Sequence, residues 1–226
     1  MRRHVIRRVL SGTVFAVSGV LGQAQAGYLD FEPITPAIFL PGETFQQGHY
    51  TFTLGTEIGQ VDTTAGFVGT TPPSGNSTQF FSAFNDGTVT LTDTFGVGFN
   101  LYGFDAGFNG PIPVDEGVST GRIIVDAITL DGGQVITSFD LGLSGADGAF
   151  AFQSFGSLGG FTSLASVTFS ACLYDELGGC VRPADNLAQF SLDNLNVIAV
   201  PEPSTYALMV AGLAGLAAYR RRERRR

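Results

Sequence analysis

The sequence predicts an all-β domain, an antiparallel β-sandwich of the jelly-roll kind with about nine or ten strands. Three observations predict it. The composition is rich in Phe (20) and Gly (31), and only 14% of residues are charged, which favours strands and tight turns. Apolar and polar residues alternate with period two in several stretches, whereas no internal segment carries a convincing helical period. Glycine-containing dipeptides separate those stretches at the places where hairpins turn.

Three segments are expected along the chain: a leader at 1–26, a β domain at 27–199 and a tail at 200–226. Met1-Arg2-Arg3-His4 with Arg7 and Arg8 is basic, and Val9 to Leu21 is mostly apolar. Ala24-Gln25-Ala26 is an A-x-A box before Gly27. This order describes a secretory signal peptide cut by signal peptidase, not a transmembrane helix. The first strand follows, with Leu29 and Phe31 opposed to Tyr28, Asp30 and Glu32. Tyr50, Phe52 and Leu54 alternate with Thr51 and Thr53, and Val89 and Leu91 with Thr90 and Thr92. Arg122 to Leu130 and Gln134 to Leu141 flank Asp131-Gly132-Gly133, the short glycine loop of a hairpin. Phe150 to Phe155, Val167 to Leu173 and Leu187 to Val200 supply further strands. In the last of these, Phe190 and Leu192 share one face while Leu195 and Val197 fall on the other by parity. Two readings fit that slip: a β-bulge that re-aims Asp193, or a strand buried on both faces beyond residue 194.

Charge narrows the class of partner. Of the 20 acids, Glu202 and Glu223 lie in the tail, leaving 18 in residues 27–200 against only Arg122 and Arg182, a net charge of about −16. Such a domain repels phosphate backbones, so nucleic acid is excluded as a partner. Cations are attracted instead. By analogy with jelly rolls of the carbohydrate-binding and galactose-binding type, whose first and last strands are neighbours, Asp30 and Glu32 join Asp193 and Asn194 as oxygen ligands for a structural calcium. The alternative is solvated acids on outward faces. No other cofactor is required.

Cys172 and Cys180 are the only cysteines; in an exported chain they are expected to close a disulfide, the alternative being two free thiols. His49 is the only histidine after the leader, and no Gly-x-Ser-x-Gly elbow or phosphate-binding glycine loop is present. No catalytic residue is therefore assigned. Asn76-Ser77-Thr78 fits a glycosylation sequon that bacterial context makes a chance match.

The tail reads in a fixed order: Pro201-Glu202-Pro203, a charge-free run from Ser204 to Tyr219 expected as a transmembrane helix, then six arginines around Glu223. At ~1.5 Å per residue the run is about 24 Å long, short of the ~30 Å hydrocarbon core. The arginines hold the C-terminus in the cytoplasm. These residues resemble the PEP-CTERM sorting signal of Gram-negative bacteria. That resemblance implies recognition by the membrane transpeptidase exosortase at Pro201, Glu202 and Pro203, transient residence in the inner membrane, and delivery to the cell surface or extracellular polymer matrix. Gln189, Phe190 and Asp193 also resemble the Gln-Phe-x-x-Asp signature of a PEP-CTERM subfamily. The expected function is that of a non-catalytic structural or adhesive surface protein. The alternative is a carbohydrate-binding module recognising extracellular polysaccharide through tyrosines drawn from Tyr28, Tyr50, Tyr102 and Tyr174.

Overall fold

The computed structural model describes residues 26–110, 115–117, 120–174, 178–181, 188–200 and 203–224. Residues 1–25 of the expected leader, with Ala24 of its cleavage box, and Pro201 and Glu202 of the tail lie outside the described residues, whereas Ala26 opens the first strand. Fourteen strands follow one another: β1 (Ala26–Leu29), β2 (Ala37–Phe39), β3 (Thr44–Gln47), β4 (Tyr50–Leu54), β5 (Gly59–Asp62), β6 (Phe80–Ala83) and β7 (Val89–Asp93) come first. Then come β8 (Phe99–Phe108), β9 (Gly121–Thr129), β10 (Gln134–Asp140), β11 (Gln153–Gly156), β12 (Leu164–Tyr174), β13 (Cys180–Val181) and β14 (Phe190–Ala199).

The alternating stretches form strands for the reason the pattern suggests, because a pleated strand sends successive side chains to opposite faces. Tyr50, Phe52 and Leu54 of β4 are buried and Thr51 and Thr53 half-buried; β7 repeats this with Val89 and Leu91 inward. Strands β9 and β10 form the expected hairpin, in which Gly132 takes a left-handed turn conformation (φ 86°) that a β-carbon would strain. Several strands beyond the expected number have no alternation to read. In β6 every side chain is buried, because Phe81 joins the main core while Phe80 packs with Phe67, Phe84 and Phe152 in a second cluster.

Every pairing between strands is antiparallel, as expected. The strands form one network running β2-β5-β6-β14-β8-β12-β7-β4-β3. Strands β1, β11 and β13 branch from β14, β8 and β12, and β9 links β12 to β10. The two ends of the path meet again: Phe39 of β2 lies 4.6 Å from Phe45 of β3, ring centre to ring centre, and Phe45 stacks on Phe52 at 4.8 Å. The sheet therefore curls almost to closure around an aromatic core that includes Phe31, Phe81, Phe99, Phe169 and Phe190.

Cys172 and Cys180 are joined in a disulfide across the β12–β13 turn. Replacing both with serine is expected to lower unfolding stability by about 2–3 kcal/mol, the chain-entropy value for so short a loop. Urea unfolding of the oxidised protein and the double variant measures it.

Residues Ala24–Pro203 make one compact unit. The C-terminal helix α1 (Pro203–Glu223) is a separate element of 21 residues, with Leu208, Met209, Val210, Leu213, Leu216 and Tyr219 all exposed and Arg220, Arg221 and Arg222 in its last turn. The expected transmembrane run at 204–219 is helical. Even so, among the described residues no helix is long and apolar enough to cross a membrane. The physical reason is the arginine block, which ends the apolar run at Tyr219, before the length of a full span is reached.

Candidate functional site

The slip in the last strand is a bulge, and it has a partner. Asp193 stands opposite Asp105, but the next paired residue of β14 is Asn196, opposite Gly103, so β14 carries one residue more than β8 over this interval. Immediately afterwards Val197 faces Leu101, and Tyr102 of β8 is the unpaired residue. One bulge cancels the other, and the register on the two sides is the same. Asn194 absorbs the first bulge in a left-handed conformation (φ 50°), which asparagine tolerates better than most residues. Burial on both faces lies before residue 194, from Phe190 to Asp193; beyond it the strand alternates.

The bulge aims Asp193 into the protein. Its carboxylate is fully buried and accepts a hydrogen bond from the Asn76 side-chain amide (2.6 Å) and one from the Asn194 backbone N–H (2.8 Å). Asn76 is held in turn by Thr78, whose backbone N–H and hydroxyl both donate to its side-chain oxygen. Asn194 donates its amide to Asp105 at 2.8 Å, separating two carboxylates that face each other across the strands. Burial pushes the Asp193 carboxyl up to about 6; the Asn76 and Asn194 hydrogen bonds oppose that shift, and the charges of Asp105 and Asp30 add to it.

The other proposed calcium ligands have partners within the protein. Gln47, itself buried, donates to Asp30 at 2.8 Å and accepts the Phe31 backbone N–H at 3.1 Å. Phe31 does not continue the first strand as expected. It turns into the left-handed region (φ 58°) and drives its ring among Phe45, Phe52 and Phe81. Glu32 accepts the Gln79 backbone N–H at 2.7 Å. Among the described residues no three of His, Cys, Asp and Glu are grouped to hold a metal ion. The charge of Asp30 reaches Asp193, and Asp30 Oδ1 and both Asp193 oxygens accept hydrogen bonds from amide groups.

Outside this buried cluster lies an open cleft of ≈ 510 Å³. Its floor is a row of facing residues across four strands: Tyr28 on β1, Asn196 on β14, Gly103 on β8 and Gly156 on β11. Asp105 and Ser154, which also face each other, form the next row, and Tyr102, Asn194 and Ser157 complete the rim. Gly103 is needed for its size, because a β-carbon there would stand 2.7 Å from the Phe155 carbonyl oxygen. Gly103→Ala is therefore expected to cost about 1–3 kcal/mol through displacement of β11, read as a lower denaturation midpoint. Gly156 differs: a β-carbon there meets nothing within 4 Å.

Two of the four tyrosines named from the sequence line this cleft, Tyr28 and Tyr102. Tyr50 is a core residue, edge-on to Phe99, and burial together with the Asp93 charge pushes its hydroxyl to about 12. Tyr174 donates to Asp140 at 2.6 Å beside Arg122, on a different part of the sheet. His49 packs edge-on against Phe95. Of the Gln-Phe-x-x-Asp residues, Phe190 is in the core, Asp193 in the buried cluster, and the Gln189 carbonyl accepts the Asn109 N–H. Sequence reading missed Asn76, set aside with its sequon, and Asp105, which sits in a strand whose buried glycine and alanine neighbours hide the period. The one available signal was parity: Leu101 and Phe104 are both inward, which requires a slip at Tyr102.

Residues 199–225 match the PEP-CTERM protein-sorting motif. The match supports a PEP-CTERM protein, and the motif implies export and processing by exosortase. No curated protein matches the chain in sequence. Among solved structures, the chain is similar to a DUF4465 family protein from Bacteroides caccae, at 10% identity and a TM-score of 0.49 over 77% of this chain and 98% of that one. It is also similar to the C-terminal family 22 carbohydrate-binding module of Clostridium thermocellum Xyn10B, at 15% identity and a TM-score of 0.28 over 62% and 92% of the two chains. An agarase matches at 11% identity and a TM-score of 0.30, over 72% of this chain and 26% of its own.

Proposed function

We propose that the chain is exported through its N-terminal signal peptide, held briefly in the inner membrane by its tail, and processed by exosortase at Pro201-Glu202-Pro203. Its β domain, a curled sandwich, then serves at the cell surface or in extracellular polymer by non-catalytic contact. The observation that carries this reading is the sorting motif at 199–225, directly after the last strand of an acidic all-β domain. The short apolar run in α1 suits transient rather than permanent residence. Ten of the twelve arginines lie in the leader and tail, so removal of both leaves a domain with net charge near −16. Gln189, Phe190 and Asp193 add the subfamily signature just upstream of the motif.

Mass spectrometry of the exported protein tests the sorting step. The expected mature C-terminus lies near the Pro-Glu-Pro, and replacement of all three residues with alanine should leave the tail attached and the protein in the membrane fraction. Exported protein that ends at Arg226 would overturn the reading.

A further inference from the structure

We propose that the cleft on β1, β14, β8 and β11 is a binding site for an uncharged saccharide chain. This deepens the surface-contact reading and rests on it. The argument begins with the floor. Successive positions across the four strands carry a tyrosine, an asparagine and two glycines. With strands ~4.8 Å apart the row extends about 14 Å, and its glycine half presents bare backbone. A hollow with one aromatic end is thereby written into the sheet. Cleavage of the leader before Gly27 keeps it intact, since Gly27, Tyr28 and Leu29 remain paired with Val197, Asn196 and Leu195.

The paired bulges supply the second aromatic side chain. Without the extra residue at 102 the β8 alternation would carry on unbroken; with it, Tyr102 stands out between inward Leu101 and Phe104. Tyr28 is 64% and Tyr102 44% exposed, large aromatic surfaces to leave in water in a domain that buries most of its phenylalanines. Asn194 and Ser157 hold left-handed backbone conformations at the rim (φ 50° and 58°). Strain of this kind gathers where a site dictates geometry.

The chemistry of the lining selects the ligand. A sugar ring has an apolar C–H face, which tyrosine rings accept, and a perimeter of hydroxyls, which amides, serine hydroxyls and a carboxylate can bond; Asn194, Asn196, Ser154, Ser157 and Asp105 offer those groups. A purely apolar ligand would leave them unpaired. The volume falls in the ~300–1,000 Å³ range of small-molecule clefts. Charge decides between sugars: among the described lining residues Asp105 is the only carboxylate and no cation is present, and the domain is strongly acidic. Uronate and sulfate polymers are repelled, and neutral hexose or pentose chains are not.

Affinity electrophoresis of the full-length protein in mild detergent tests this, with gels containing β-glucan, galactomannan, xylan or, as the anionic probe, alginate. Retardation by at least one neutral polymer is expected, and not by alginate. Tyr28→Ala and Tyr102→Ala should each weaken it about ten-fold, the order of one lost aromatic contact. Gly156→Leu, whose β-carbon meets no atom within 4 Å, should abolish it by obstructing the cleft. Each variant is checked for an unchanged thermal midpoint. No retardation by any neutral polymer, preference for alginate, or binding indifferent to all three substitutions would overturn the proposal. The C-terminal mass is read separately, so failure here is distinguishable from failure of the sorting assignment.

Discussion

Raising the pH from about 4 to 7 is expected to destabilise the β domain, and Asp193 is the group responsible. Its carboxyl titrates near 6 in the fold against an ordinary 3.8. Between those values the folded state holds a proton that the unfolded chain has released, so stability falls as pH rises. The contribution is fully present below 3.8 and gone above about 6; a difference of roughly two pH units corresponds to about 3 kcal/mol. Other carboxylates work in the opposite direction in a lower window. Asp140, hydrogen-bonded by Tyr174 and Arg122, and Asp131, hydrogen-bonded by Thr129 and the Gly133 N–H, are held below the usual range and lose their contribution only as pH falls below 3.8. Urea unfolding at intervals from pH 3.5 to 7.5 separates the two. Asp193→Asn should flatten the segment between 4 and 6, although its amide would face the Asn76 amide donor to donor and lower the overall stability. An Asp193→Asn protein with the wild-type slope between pH 4 and 6 would sink the assignment.

The largest single-residue effect is expected at Phe45. Its ring stacks on Phe52, touches Phe31 and Phe81, and lies 4.6 Å from Phe39, the contact that brings the two ends of the strand path together. Phe45→Ala should cost about 3–5 kcal/mol, from lost burial and from a cavity that strand ends joined only by side chains close poorly. Phe95 is the control. It is 68% exposed, and Phe95→Ala should stay within about 0.5 kcal/mol. If the two variants unfold at the same denaturant concentration, Phe45 is not the closure of the sheet.

How far the sequence revealed these features depends on the distance over which each is encoded. The β9–β10 hairpin was legible because alternation and a Gly-Gly turn lie within twenty residues. The bulge at Asn194 was legible as a parity slip, left open between two readings; burial on both faces before residue 194 and alternation after it decide between them. Strand β6 was not legible, since burial on both faces erases the period that betrays a strand, and in β8 the slip at Tyr102 breaks that period. Asn76 had no local signal at all: its partner Asp193 is 117 positions away.

By itself, then, the sequence determined the features that neighbours in the chain encode: the sorting motif at 199–225, the acidic charge of the region before it, the all-β class, and the slip in the last strand. Tertiary structure alone decided which slips face each other, that Phe39 and Phe45 close the sheet, that Asp193 is buried against Asn76, and that Tyr28 and Tyr102, not Tyr50 or Tyr174, share a cleft. The physical reason is strand register. Local pattern says which way a side chain points, but only the pairing of distant strands, settled by packing the whole core, says what it points at.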